Sequence, residues 1–288
     1  MHIMITNEVI NKGIDYIIEN IHKDISVSDV ANYCNYSKYY FCRAFKEATG
    51  FSVYSYIKRL KMDYSAVRIM MDRDRSITDI GLQFGYSLSN YSTAFKKHHN
   101  VSPIEFRYIS YSSYDLLPDS IKMKMQLKSF DDYDKRIGIQ KMEDFTVIYE
   151  RAFGSYMELG RYWSEFIYKY KDYIKEDTVM ITRLYDNPLV TRLNQCMYDL
   201  CIIADENSRL SNKTSIKGGL FAVYHFDGML QDIFITYHGL LHVWLLNSNY
   251  ILDNGSFLNI YRSMVDIKKH GHIELCIPIK MSKNSEVN

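Results

Sequence analysis

Glu274 is the carboxylate in an otherwise apolar run, His272-Ile-Glu-Leu-Cys-Ile-Pro-Ile, and Asp199 in Tyr198-Asp-Leu-Cys-Ile-Ile is its counterpart earlier in the chain. A carboxylate directed into apolar surroundings is costly unless a cation or hydrogen-bond donors accompany it, so Glu274 points to a site for cationic or amphipathic small molecules. Tyr149, Tyr156, Trp163, Tyr224, Trp244 and Tyr261 are the aromatic candidates to stack on such a ligand. The competing reading makes these aromatics core residues and turns Glu274 to solvent by strand alternation. Other chemistries find less support. The five cysteines are odd in number and form no C-x-x-C, which argues against a disulfide framework, a zinc ribbon or a dithiol redox motif and fits a reducing cytoplasm. Of nine histidines, the adjacent His98-His99 end a helix, and His270-x-His272 flanks a strand without nearby acidic or cysteine partners. No metal site and no cofactor are therefore expected. No nucleophile–base pair is evident, so the chain is read as a non-enzyme. Two alternatives stay open for the C-terminal half: a small-molecule hydrolase with Glu274 as base beside Tyr149 or Trp244, and a ligand-independent interaction module.

The elements that position the remaining candidates come from a duplication with a fifty-residue offset. Ser26-Val-Ser-Asp-Val-Ala overlays Ser76-Ile-Thr-Asp-Ile-Gly, and the match continues without a gap through Tyr36-Ser37 on Tyr86-Ser87 and Ala44-Phe45-Lys46 on Ala94-Phe95-Lys96. In each copy Ser26 or Ser76 is placed to cap a short helix, with Asp29 or Asp79 three residues on. Ala31 and Gly81 are small where a second helix must cross closely, and Asn35 and Gly85 suit a left-handed turn. The second helix starts at Ser37 or Ser87 and turns Phe41, Ala44 and Phe45, or Tyr91, Ala94 and Phe95, inward. This is a helix-turn-helix, present twice. Between the copies, residues 53–71 read as one amphipathic helix of about 28 Å, long enough to hold two recognition helices in successive major-groove segments of one duplex face. Ser102-Pro103-Ile104-Glu105 opens a closing helix.

Charge agrees with double-stranded DNA as partner. Net charge is only +1 overall, but residues 1–110 carry +3 and residues 111–288 carry −2. Within 35–71, seven basic residues (Lys38, Arg43, Lys46, Lys58, Arg59, Lys61, Arg68) face two acidic ones, which places the positive field where phosphate would lie. On the first recognition helix Ser37, Lys38, Tyr39, Tyr40, Cys42 and Arg43 are candidate DNA contacts, with Arg43 the candidate for a bidentate guanine contact and Lys46 for phosphate. On the second, Ser87, Leu88, Ser89, Asn90, Ser92 and Thr93 are short and mostly uncharged, suited to adenine, a thymine methyl or shape fit, with Lys96 and Lys97 on phosphate. These residues resemble the AraC/XylS family of transcription regulators over about residues 7–109, the run from Gly85-Tyr-Ser-Leu-Ser-Asn through Ala94-Phe-Lys-Lys-His-His-Asn-Val-Ser-Pro-Ile-Glu-Phe-Arg looking like the family's signature region. The resemblance implies an all-α double helix-turn-helix domain that binds promoter DNA, and RNA polymerase as a further partner. Thr93 stands where relatives often carry arginine.

The remainder repeats a second pattern. Strand-like Phe145-Thr-Val-Ile-Tyr, a helical stretch over 156–170, and strands at Met180–Tyr185 and Tyr198–Ile203 recur as Leu220–Tyr224, a helix over 233–246, Phe257–Tyr261 and Ile273–Pro278. Strand-helix-strand-strand, twice, gives an α+β domain of two antiparallel sheets side by side, paired helices on one face and a central groove. The paired endings and Tyr185-Asp-Asn-Pro are similar to the GyrI-like effector-binding domain of Rob-type regulators over about residues 144–281. That resemblance implies a hydrophobic cation in the groove, with Glu274 at the place of the family's glutamate. The expected organisation is residues 1–110 for DNA, 111–143 as linker and 144–288 for the small molecule. The start lacks the apolar core of a signal peptide, and the longest apolar stretch, around Leu240 to Leu246, is far below the ~20 residues that span a bilayer, so no membrane association and a cytoplasmic location are expected.

Overall fold

The structure, a computed structural model, describes residues 3–111, 128–187, 190–204, 210–229, 232–262 and 271–282. The chain divides into two compact units, Met1–Leu116 and Leu117–Asn288.

In the first unit a short strand β1 (Ile3–Ile5) precedes α1 (Glu8–Glu19), α2 (Val27–Tyr33), α3 (Lys38–Thr49), α4 (Val53–Met71), α5 (Ile77–Gln83), α6 (Leu88–His99) and α7 (Pro103–Tyr111). The capping residues do what their spacing implies. Ser26 and Asp29 form a reciprocal capping box at the start of α2, and the Ser76 side chain accepts the Asp79 amide at the start of α5. Ser102 and Glu105 cap α7 in the same reciprocal way. The two turns are copies: Asn35 (φ 60°) and Gly85 (φ 79°) are left-handed, and Tyr36 N and Tyr86 N each donate to the carbonyl of Ala31 or Gly81 at 3.0 Å. The close crossing is real at Gly81, where a Cβ would stand 2.8 Å from the Tyr91 ring.

The expectation for α4 needs correction. Instead of one apolar face it is buried nearly all round, including Arg59, Lys61 and Asp63. Both helix-turn-helix copies pack against it, so its polar residues are absorbed as internal ties. Lys61 Nζ donates to the Lys23 carbonyl at 2.9 Å, and burial lowers its ammonium pKa. Arg59 pairs with Asp63 at 3.2 Å. Arg59 and Lys61 are therefore internal ties, while Lys38, Arg43, Lys46, Lys96 and Lys97 are exposed.

The second unit comprises α8 (Phe130–Asp134), β2 (Ile137–Met142), β3 (Phe145–Gly154), α9 (Leu159–Lys169), β4 (Met180–Leu184), β5 (Cys196–Ile203), β6 (Lys213–Ile216), β7 (Gly219–Gly228), α10 (Ile233–Gly239), β8 (Tyr250–Leu252), β9 (Phe257–Tyr261) and β10 (Gly271–Met281). α10 runs on through a π turn, Leu240–Trp244, and a 3₁₀ turn, Leu245–Asn247. The segment expected as linker thus carries α8 and β2: Ile137–Met142 alternates too weakly to be read alone, and β7 supplies its pairing.

The strand-helix-strand-strand repeat is present, but the sheets are joined. The order is β3-β5-β4-β9-β10-β7-β2, with β4 antiparallel to β9 at the pseudo-twofold, Ile181 opposite Ile260. β2, which precedes the first repeat, pairs with β7 of the second; β6, which precedes the second, pairs with β3 of the first. The two connecting corners meet where Lys217 Nζ and Gly218 N donate to Asp144 at 2.7 and 2.9 Å. The sheet therefore curls on itself. Its inner face carries one apolar cluster drawn from β3, β4, β5, β6, β7, β9 and β10, including Tyr149, Ile181, Cys201, Phe221, Val223, Leu258, Ile260 and Cys276. Helices cover the outer face, where Trp163 packs edge-on to Tyr261 and Tyr237 donates to Asn259 Oδ1.

Candidate DNA-reading helices and effector groove

α3 presents Ser37, Lys38, Tyr39, Tyr40, Arg43 and Lys46 exposed and Cys42 half-buried, while Phe41 and Phe45 are fully buried. Tyr39 is 79% exposed, a large apolar ring left in water at the helix start. Arg43 meets Glu47 only at 3.9 Å between two exposed side chains, a loose pair that leaves the guanidinium available. α6 repeats the arrangement: Ser87, Leu88, Ser89, Asn90, Thr93, Lys96 and Lys97 are exposed, Ser92 is half-buried, and Tyr91 and Phe95 are buried. Thr93 Oγ1 donates back to the Ser89 carbonyl at 3.0 Å, which spends its hydroxyl hydrogen on the helix itself. Ser87 N-caps α6 without a side-chain hydrogen bond, so its hydroxyl stays outside the cap.

Beneath α6, Asp63 of α4 lies 2.7 Å from His98 Nε2 and 4.0 Å from His99 Nε2. Asp63 lies thirty-five residues before His98, so no short sequence motif links the three side chains. His272 likewise has an acidic neighbour, Asp227 across the β7–β10 ladder at 3.4 Å, while His270 lies outside the described residues.

In the second unit the candidate ligand residues do not converge on one cavity. Register places Tyr149 and Glu274 on the inner face of the curled sheet, through Cys201, Ile181 and Ile260. Tyr224 and Tyr261 point to the opposite, helix-covered face, where Trp163 joins Tyr261. Tyr224 accepts a hydrogen bond from Lys128 Nζ, Trp244 Nε1 donates to Asp134, and Tyr156 donates to the Asp186 carbonyl. Those five aromatics are buried: Tyr224 and Tyr261 on the helix-covered side of their strands, as alternation allows for half of a strand's positions, and Tyr156, Trp163 and Trp244 on helical segments.

Neither carboxylate faces the interior alone. Asp199, fully buried, accepts from Arg151, Arg183 and the Tyr185 hydroxyl, and the two guanidiniums hold its pKa below the usual carboxylate range despite desolvation. Glu274 takes Arg262 in a bidentate pair, Nε to Oε1 at 2.6 Å and a second nitrogen to Oε2 at 2.9 Å. Burial separates the partners: the Arg262 side chain is 62% exposed, that of Glu274 only 12%. These arginines were missed from sequence. The signal was an arginine in, or just after, the strand that neighbours each carboxylate-bearing strand.

Comparison with known proteins agrees with this division. A helix-turn-helix domain family matches residues 30–108, and the GyrI-like small molecule binding domain family matches residues 136–280. The probable transcription factor PqrA of Proteus vulgaris is 32% identical over 87 residues, 30% of this chain and 70% of PqrA. The HTH-type transcriptional regulator YbfP of Bacillus subtilis is 32% identical over 105 residues, so the matched segment spans only 35% of that protein and 36% of this chain. The C-terminal domain of AraT, a response regulator from Geobacillus stearothermophilus, aligns with 27% identity over 36% of this chain and 86% of that domain, with a TM-score of 0.35. With two equivalent helix-turn-helix copies ahead of a curled, duplicated sheet, and both families matched in that order, the chain belongs to the AraC-type transcription regulators that carry a GyrI-like small-molecule-binding domain.

Proposed function

We propose that this regulator reads two adjacent major-groove segments with α3 and α6, and that a cationic amphipathic effector enters the inner face of the curled sheet by taking Glu274 from Arg262. The observation that carries the effector reading is the asymmetry of that ion pair. A guanidinium mostly in water gains little from its partner and is cheaply released, whereas a largely buried carboxylate must keep a positive neighbour. Arg262 thus stands in for the ligand's charge, and the apolar cluster beginning at Ile260 and Cys276 takes the ligand's hydrophobic body. Asp199 is not a second such site, because it is fully buried between two arginines. The protein acts on chromosomal DNA in the cytoplasm and communicates with RNA polymerase there.

We further infer a binding role without catalysis. Burial raises the thiol pKa values of Cys201 and Cys276 far above neutrality, so neither is a thiolate nucleophile, and Glu274 is engaged by Arg262 rather than poised as a base. The test is calorimetry with a planar aromatic cation on the full chain. Arg262→Ala should tighten binding about tenfold by removing the internal competitor, and Glu274→Gln should abolish it. Weaker binding in Arg262→Ala, or unchanged binding in Glu274→Gln, contradicts this assignment.

A further inference from the structure

We propose that Asp63, His98 and His99 form a binding site for one divalent transition-metal ion of the zinc class, clamping the second recognition helix onto α4. The three side chains come from two elements far apart in sequence, and their ligand atoms all lie within 4.8 Å of one another. Both histidines turn the same nitrogen, Nε2, toward the same oxygen, Asp63 Oδ1, at 2.7 and 4.0 Å. A tetrahedral ion bound at ~2.0–2.1 Å to each donor needs the donors roughly 3.3 Å apart, so coordination requires each to move by less than about 1 Å.

The surroundings support the ligands. Asp63, with its side chain 4% exposed, has its other oxygen held by Arg59 at 3.2 Å, which fixes the carboxylate plane and leaves Oδ1 toward the histidines. His99 is wedged between the Phe95 and Phe106 rings at 4.4 and 5.6 Å, which fixes its orientation. Its Nε2 lies 3.3 Å from the Met62 carbonyl, which accepts the Nε2–H, and ion binding would replace that hydrogen bond and release the proton. His98 and His99 close α6 just before the left-handed cap Asn100, at the helix end whose free carbonyls favour a cation. The His98 side chain is 30% exposed and offers an entry path. Two imidazoles and one carboxylate suit zinc, cobalt, nickel or copper better than magnesium or calcium, and leave a fourth position for water.

The experiment uses the full chain, stripped with chelator and titrated with Co²⁺ and then Zn²⁺. One equivalent of Co²⁺ should give visible d–d absorption that Zn²⁺ quenches, and His98→Gln and His99→Gln should each weaken binding at least about 100-fold. Circular dichroism and nonspecific DNA binding of the variants report whether the first unit remains folded. If one variant unfolds, the other decides. Cobalt absorption that is equal in the folded variant and the parent protein, or no binding by the parent at about 100 μM metal, overturns the proposal.

Discussion

Arg43 and His238 carry the predictions that belong to single residues. Arg43 is exposed on α3 with only a loose ion pair to Glu47, so its guanidinium is available for a guanine edge worth ~1–3 kcal/mol of discrimination. Arg43→Ala should weaken specific binding ten- to a hundredfold, by about that energy, and nonspecific binding far less; equal losses in a mobility-shift titration would remove it from base readout. His238 is fully buried beside His242, its ring 4.5 Å away, and burial alone lowers its pKa to about 4. The unfolded chain, with an ordinary histidine near 6.5, therefore binds the extra proton between pH 6.5 and 4. The stabilising contribution is present above pH 6.5 and lost as pH falls toward 4. Denaturant unfolding should show a loss of about 2 kcal/mol between pH 7 and pH 5 from this residue, and His238→Leu should remove that share of the slope. An unchanged slope would mean His238 is solvated in solution.

At the scale of elements, the duplication explains why so much of the first unit could be read in advance. Capping serines, left-handed turn residues and inward aromatics are local signals, and each appears twice in register, as at Asn35 and Gly85. Gly81 is the position where this reading becomes a measurable constraint. Gly81→Val should drive a side chain into Tyr91 and destabilise the second helix-turn-helix by roughly 1–3 kcal/mol, visible as earlier melting of the first unit; a neutral effect would show that α5 and α6 can separate. What could not be read is what depends on non-local pairing. Lys61 of α4 looks like part of a basic face until it reaches the Lys23 carbonyl, thirty-eight residues away. β2 and β6 become strands because each pairs with the other repeat. Period-two alternation does not say which face of a strand is inner; register puts Tyr149 with Glu274 and Tyr224 and Tyr261 on the other side, and Tyr156, Trp163 and Trp244 lie on helical segments.

In the whole molecule an AraC-type helix-turn-helix domain and a GyrI-like small-molecule-binding domain share one chain, and regulation requires that effector and DNA bias a common equilibrium between states. No helix among the described residues is long and apolar enough to cross a membrane. The nineteen-residue α4 lies between the two helix-turn-helix copies, and on the proposed reading it sets the spacing of α3 and α6 so that one chain covers a two-segment site. The most direct measurement is a hydroxyl-radical footprint on a genomically selected site, with the number of bound chains determined on the same complex. One chain should protect two patches on one duplex face about one helical turn apart, roughly 34 Å. A single protected patch per chain, or two patches on opposite faces, would contradict it.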